Sequence, residues 1–199
     1  MGYTRRSGFM ERLGAFHDKL RMNLSYKLVN SPVGVLKLVA SKKGLVAILW
    51  ENDDPRRVRL GDLVEEPHHP VLVRTEKELR EYFAGKRQTF SIPLEMRGTR
   101  FQRQVWEFLL GIPFGETRTY GDIAKQLGNP AATRAVGGAN RRNPISIVVP
   151  CHRVVGAAGN LTGFAGGLEA KTYLLKLETT NDEMMRLRCP SSRGNTNEH

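Results

Sequence analysis

The hydrophobic period changes once along this chain, and that change limits most what it can fold into. From Ser25 to about Leu94 apolar residues come in strand-like runs. Val35-Leu36-Lys37-Leu38-Val39 and Leu45-Val46-Ala47-Ile48-Leu49-Trp50 flank the polar turn Ser41-Lys42-Lys43-Gly44 and read as a hairpin. Further on, Leu72, Leu79 and Phe83 recur at helical intervals and the pattern stops at Gly85, a residue suited to ending a helix. Phe90, Ile92 and Leu94 alternate as a short strand does, and the polar stretch from Glu51 to Pro70 reads as loop with some helix. After Thr99 the spacing is mostly helical. Thr99 with Gln102, and Thr119 with Asp122, have capping-box spacing ahead of Val105, Trp106, Leu109 and Leu110 and of Ile123, Ala124 and Leu127. Strands segregated from helices predict an α+β chain (α/β in the broad sense), with a strand-rich N-terminal part and a helical C-terminal part.

Gly128 breaks the helix that holds Ile123, Asn129 can cap the next one, and Pro130 suits its first turn, which together read as a helix-turn-helix. Charge agrees with that reading. The chain carries a formal net charge of +11 over 199 residues, which makes a polyanion its natural partner. From residue 96 to residue 160 there are nine Lys or Arg (Arg97, Arg100, Arg103, Arg118, Lys125, Arg134, Arg141, Arg142, Arg153) against three acids (Glu107, Glu116, Asp122), a net of +6. More than half of the excess charge surrounds one motif.

That motif is Val149-Pro150-Cys151-His152-Arg153, placed at the end of the apolar run Ile145-Ser146-Ile147-Val148-Val149, where a buried strand should stop. The thiolate is the nucleophilic form of cysteine, and a neighbouring base or positive charge favours it over the free thiol. An isolated Cys-His pair is most often an inert core feature or a single metal ligand, and adjacent residues on a strand point to opposite faces. The surroundings decide otherwise. Upstream lie Ile112-Pro113-Phe114-Gly115-Glu116-Thr117-Arg118-Thr119-Tyr120-Gly121-Asp122-Ile123-Ala124, Gly128-Asn129-Pro130-Ala131-Ala132-Thr133-Arg134-Ala135-Val136-Gly137-Gly138-Ala139-Asn140 and Asn143-Pro144; downstream lie Gly163-Phe164-Ala165-Gly166-Gly167-Leu168, Lys171 and Leu174-Leu175-Lys176-Leu177-Glu178.

Taken together, these blocks resemble the O6-alkylguanine-DNA alkyltransferases, also called methylated-DNA-protein-cysteine methyltransferases. The likeness runs without gaps from about Phe101 to Glu178, and weaker likeness reaches back through Leu79-Arg80-Glu81-Tyr82-Phe83-Ala84-Gly85 and Ser31-Pro32-Val33-Gly34. It implies a ribonuclease-H-like N-terminal domain at 25–95, and an alkyltransferase domain at 96–180 with a winged-helix-like helix-turn-helix. It also implies a one-use displacement, in which the Cys151 thiolate takes the alkyl group from O6-alkylguanine in duplex DNA, with O4-alkylthymine as a second substrate. By the same resemblance His152 is the base, acting through a water, Glu178 orients it, and Tyr120 protonates the leaving base at N3. Asn143 ties the helix-turn-helix to the active-site segment. The target base must leave the stack. Arg134 would fill its place from the minor groove, with Thr133, Ala135, Gly137, Gly138 and Arg141 contributing to the DNA surface. Carbonyls of Cys151 and Val154 would face the guanine amine, and the Ala165 amide would face O6.

Some positions depart from the family. Phe164 stands where many members have tyrosine, Ala165 lacks a hydroxyl that some carry, and Ser146 stands where some have a proline that packs on bulky alkyl groups. These bear on substrate breadth. The zinc ligands of some animal members have no counterpart, and His68-His69 reads as a solvated loop, so neither metal nor cofactor is expected. Three other functions compete. A binding-only repair factor is disfavoured by Cys151, which binding-only relatives replace. A winged-helix regulator would tolerate loss of that thiol, and a cysteine hydrolase would need an oxyanion-hole segment that does not accompany the pair.

Residues 1–24 form a basic extension in which Phe9, Leu13, Phe16 and Leu20 have helical spacing, and Glu11 and Asp18 argue against a targeting peptide. The run at 145–149 is far too short to span a bilayer. Two cysteines, Cys151 and Cys189, and the lack of a secretory segment fit a cytoplasmic protein near the nucleoid, or a nuclear one in a eukaryote. Residues 181–199, with Cys189 as a spare thiol, read as a disordered tail. A monomer is expected, with cooperative binding along DNA left open.

Overall fold

The computed structural model of the protein describes residues 24–188, with side chains as far as residue 180. The expected helix in the basic extension and the thiol of Cys189 lie outside those residues. β1 (Leu24–Ser31), β2 (Gly34–Ser41) and β3 (Gly44–Trp50) form an antiparallel meander, the last two being the hairpin legible in the sequence. β4 (Leu63–Glu65) adds to β1 in parallel, giving the order β3-β2-β1-β4. Alternation sorts the side chains. Leu36, Leu38, Ile48 and Trp50 enter the main core, while Val39, Val46 and Ala47 form a second cluster on the other face under Val58, Leu60 and Leu63. α1 (Pro70–Phe83) covers the main-core face with Leu72, Leu79 and Tyr82.

Two expectations for this half need correction. The stretch 51–69 contains no helix but the strand β4, which at three residues is too short to show a period and takes its conformation from the β1 edge. The alternating Phe90, Ile92 and Leu94 make one bridge and no strand: Leu45 N–H donates to Pro93 O at 2.8 Å, and Glu95 N–H donates to Leu45 O at 2.8 Å. Here the chain passes so close to β3 that a Cβ at position 44 would lie 2.4 Å from Pro93 O, which explains Gly44 at the end of the turn.

The C-terminal part is a set of short helices around one side of the same core. Both expected capping boxes form, Thr99–Gln102 before α2 (Arg100–Leu110) and Thr119–Asp122 before α3 (Tyr120–Gln126). Trp106 on α2 is buried and donates from Nε1 to Ala139 O at 2.9 Å, fixing α2 to α4 (Thr133–Arg141). α3 ends at Gly128, whose φ of 76° belongs to the left-handed region; Gly128 N–H bonds to Lys125 O and Asn129 N–H to Ala124 O, each at 3.0 Å, as in a Schellman motif. Asn129 does not cap α4 with its side chain. A 3-10 turn, Pro130–Ala132, intervenes and α4 starts at Thr133, because Pro130 begins the short turn and Asn129 O is taken by Ala132 N–H at 2.9 Å. β5 (Arg118–Thr119) and β6 (Val154–Val155) pair in parallel beside this motif. α5 (Gly167–Arg188) closes the fold and keeps a helical backbone past residue 180, so residues 181–188 are helix and not the expected disordered tail, the rest of which lies outside the described residues; Glu183, Met184, Met185, Arg186 and Leu187 are good helix formers.

The apolar run at 145–149 is buried as expected but is not a strand. It folds back on itself, with Val149 N–H bonded to Ile145 O at 2.9 Å and Ile147 held at φ 74°. A β-branched residue there is strained, and the turn persists because its ends are clamped from outside. Ile48 N–H of β3 donates to Pro144 O at 2.9 Å, so the edge of the N-terminal sheet carries the start of the active-site segment.

Gly44→Ala is expected to destabilise the fold by about 1–3 kcal/mol, because the contact is with backbone that cannot move without breaking two ladder bonds. Urea melts should show a lower midpoint with an unchanged slope; an unchanged midpoint would refute the steric account.

Candidate active site

Cys151 opens a 3-10 turn, Cys151–Arg153, in which successive side chains diverge by roughly 120° and not the 180° of a strand. Cys151 and His152 can therefore serve one site. The turn is set by Asn143, the second residue after α4, whose Nδ2 donates to Val149 O at 2.8 Å and whose Oδ1 accepts from Ile145 N–H at 3.0 Å. One amide closes both ends of the 145–149 turn. Arg57, from the loop after β3, pairs with Asp53 and donates to the Asn143 carbonyl, bracing the same corner.

Behind the thiol lies a buried hub of charge. Glu178 on α5 is 1% exposed, and its Oε1 accepts from His152 Nε2 at 2.8 Å, from Tyr82 Oη at 2.7 Å and from Arg153 Nη2 at 3.0 Å. Its Oε2 accepts from Arg153 Nε at 2.8 Å and, at 3.4 Å, from Gly115 N–H. Arg153 also donates from Nη1 to Ile112 O at 2.5 Å. Burial alone would push the Glu178 carboxyl up; the bond and charge of His152 and the bidentate Arg153 overcome this and hold it at about 2. Burial lowers His152, with Glu178 offsetting only part of that, so the imidazole is neutral at pH 7. A neutral ring donating Nε2–H to a carboxylate leaves its lone pair on Nδ1, a buried atom with no hydrogen-bond partner among the described residues.

The thiol itself is 3% exposed, and burial pushes it up; Asn143, Arg57, Ser146 and Lys171 all favour the thiolate but only in part. In this closed state Cys151 stays protonated. A cavity of about 10 Å³ between Asn140, Ser146, Cys151 and Phe164 leaves room on the order of one water. In front lies a cleft of about 790 Å³ lined by Tyr120, Gly137, Gly138, Arg141, Phe164 and Ala165, together with Asp53 and Arg57 of the N-terminal half. Tyr120 Oη lies 2.7 Å from Thr162 Oγ1 at the edge of that cleft. The Val154 carbonyl already accepts from Lys171 Nζ at 2.6 Å and the Cys151 carbonyl from Val154 N–H. The loop at 163–166 rests on Trp50 of β3: the Trp50 and Phe164 rings meet edge to face at 5.3 Å, and a Cβ on Gly166 would lie 2.6 Å from the Trp50 ring.

The sequence-derived candidates thus fall into two groups. Cys151, His152, Glu178, Asn143, Ser146 and Val154 converge behind the cleft, while Tyr120, Gly137, Gly138, Arg141, Phe164 and Ala165 line it. Thr133, Arg134 and Ala135 stand exposed at the start of α4 and do not line the cleft. Arg153 and Lys171 lay within the quoted motifs but, like Tyr82, Arg57 and Trp50, were given no role by sequence. Lys171 had a signal, since it lies seven residues before Glu178 on one helix face with Leu174, and all three are buried. Arg57 had none, being one of several arginines in a polar loop. Among the described residues, no group of three or more His, Cys, Asp and Glu side chains is placed to hold a metal ion.

A helix-turn-helix whose cleft leads to a thiol, an imidazole and a buried carboxylate defines a cysteine-dependent protein of the nucleic-acid-modifying class. Comparison makes the class specific. The model of the 6-O-methylguanine DNA methyltransferase DNA-binding domain matches residues 100–180, and that of its ribonuclease-like domain matches residues 24–96. A methylated-DNA–protein-cysteine methyltransferase of Methanosarcina mazei is 47% identical over 78% of this chain and 98% of its own length. One from Mycolicibacterium paratuberculosis is 47% identical over 78% of this chain and 92% of its own. The crystal structure of Mycobacterium tuberculosis OGT in complex with DNA superposes with a TM-score of 0.73 at 43% identity, covering 79% of this chain and 94% of that one. The chain belongs to the O6-methylguanine-DNA methyltransferase family, with a ribonuclease-like strand-rich domain followed by a helical DNA-binding domain.

The hub also fixes the acid stability. Glu178 titrates near 2 when folded and near the ordinary carboxylate value when unfolded, so the unfolded chain binds more protons between those values and the contribution is lost as pH falls through them. His152, lowered by burial, acts in the same direction from about pH 6.5 downward. Glu178 accounts for roughly 3 kcal/mol of the loss. Glu178→Gln should flatten the pH dependence of urea stability below about pH 4.5; a slope equal to that of the unaltered protein would exclude the hub as its source.

Proposed function

We propose that this protein repairs O6-alkylguanine in duplex DNA by moving the alkyl group, once and irreversibly, onto Cys151. The observation that carries the reading is the Cys151–His152–Glu178 array at the back of the helix-turn-helix cleft, in a chain that belongs to this family. Glu178 fixes the His152 tautomer, and Nδ1 takes the thiol proton through one water. Sulfur attacks the alkyl carbon in line, the bond from that carbon to O6 breaks, and the electron pair passes into the purine. Tyr120, at the cleft, supplies a proton to N3 so that guanine leaves neutral. The product is a thioether with no thiol to regenerate, and no tetrahedral intermediate forms, so no oxyanion hole is needed. The raised thiol of the closed state agrees with ionisation only once a substrate has opened the pocket.

The base reaches the cleft by leaving the stack, at a cost of a few kcal/mol. Arg134 enters the gap from the minor groove, and the small residues Ala135, Gly137 and Gly138 let α4 approach the backbone closely, with Thr133 and Arg141 on phosphates. Val154, Phe164, Ala165 and Ser146 shape the pocket. The small cavity beside Cys151 favours methyl over bulky groups, with O4-alkylthymine a second substrate. Residues 25–95 form one domain and 96–180 the alkyltransferase domain, and the protein works as a monomer in the cytoplasm. No helix among the described residues is long and apolar enough to cross a membrane.

Incubation with duplex DNA holding labelled O6-methylguanine should place at most one methyl on each chain, and Cys151→Ser should abolish it. Repeated turnover, or transfer by that variant, would refute the mechanism. Arg134→Ala should slow transfer from duplex DNA at least tenfold and leave transfer from the free modified base nearly unchanged, since only the duplex requires extrusion. Equal losses on both substrates would remove Arg134 from the flipping step.

A further inference from the structure

Tyr82 sits on α1, in the N-terminal half, yet its hydroxyl ends on the carboxylate that serves the active site. It is fully buried, and its ring packs against Phe83, Phe90 and Phe114 at centroid distances of 5.4, 5.4 and 6.2 Å. Those neighbours would accept a phenylalanine equally well. Among the described residues the hydroxyl's one hydrogen-bond partner is Glu178 Oε1, at 2.7 Å, the oxygen that also holds His152 Nε2. Burial, followed by the charge of Glu178, keeps the phenol protonated, so it acts as a donor.

We propose that Tyr82 is a positioning residue for alkyl transfer, which by donating to Glu178 Oε1 limits the negative charge facing His152 and so sets the basicity of its Nδ1. The inference rests on the reading of Cys151 as acceptor and His152 as base. A carboxylate bound only to the imidazole would stabilise imidazolium strongly and leave the ring protonated, unable to take the thiol proton. Arg153 and Tyr82 divide that charge between them, Arg153 across both oxygens and Tyr82 on the one that faces His152. The other titratable and charged groups facing this cluster are Cys151 on the 3-10 turn, Lys171 and Tyr173 on α5, and Arg57 from the loop after β3. Replacing Tyr82 leaves all of them in place. The division of labour makes the active site a joint product of both halves of the chain.

The test is the pH profile of single-turnover methyl transfer from duplex O6-methylguanine, from about pH 5 to about pH 9. In Tyr82→Phe, Glu178 Oε1 loses a charge-assisted bond and attracts imidazolium more strongly. The acid limb should therefore move upward by about half a unit to one unit, with the plateau rate reduced about two- to tenfold. Substituting 3-fluorotyrosine at position 82, a stronger donor of nearly the same size, should move the limb the opposite way, and it carries the test if the phenylalanine variant fails to fold. Limbs that coincide with that of the unaltered protein, or a lower plateau and melting temperature with no movement of the limb, would reduce Tyr82 to a packing residue. Failure of the unaltered protein to accept a methyl would instead overturn the function itself.

Discussion

A carboxylate in the interior holds this molecule's working parts together. Removing Glu178 from water costs several kcal/mol, and such a cost is met only when every lone pair finds a donor in good geometry. Here the donors come from three separate segments: His152 and Arg153 from the 3-10 turn, Tyr82 from α1, and Gly115 from the loop after α2, all facing a residue of α5. None of these segments can shift without leaving a buried charge short of a partner. The position of the imidazole, and through it of the thiol, follows from that requirement more than from apolar packing.

The same burial that makes the hub rigid makes the thiol quiet. A sulfur 3% exposed, beside a cavity of about 10 Å³, is pushed up toward the protonated form even with Lys171 and Arg57 nearby. A reagent that can act only once gains from this, because a standing thiolate would be spent on any electrophile that diffused in. Phe164 of the 163–166 loop lines both the cleft and the Cys151 cavity, and so stands between the open space and the thiol.

Much of this was legible in the sequence wherever the determinant was local. Both capping boxes, the hairpin at Ser41-Lys42-Lys43-Gly44 and the helix stop at Gly128 were visible because each depends on a few adjacent residues. The convergence of Cys151, His152 and Glu178 was legible only through the ordered set of motifs, since a glutamate at that position otherwise looks like one more acid on a helix. What escaped was set by distant partners. β4 exists because β1 offers an edge, and the 145–149 run turns back at Ile147 because Asn143 and β3 clamp its ends. Arg57 and Tyr82 carried no local sign of their targets, which lie 86 and 96 residues away.

Those two residues alter the standing of the N-terminal domain. If it were only a scaffold, its contacts with the catalytic domain would be apolar and interchangeable, as in much of the shared core. Three of them are not interchangeable, and two of the three are polar. Trp50 packs against the loop that lines the cleft, Arg57 donates to the carbonyl of Asn143, whose side chain shapes the 145–149 turn, and Tyr82 donates to the buried carboxylate of Glu178. They come from β3, from the loop after it and from α1, and each meets a different part of the site: wall, turn and carboxylate. A rigid layer touching three parts at once keeps the thiol, the imidazole and the cleft in register, which an isolated set of short helices, each marginal alone, could not do.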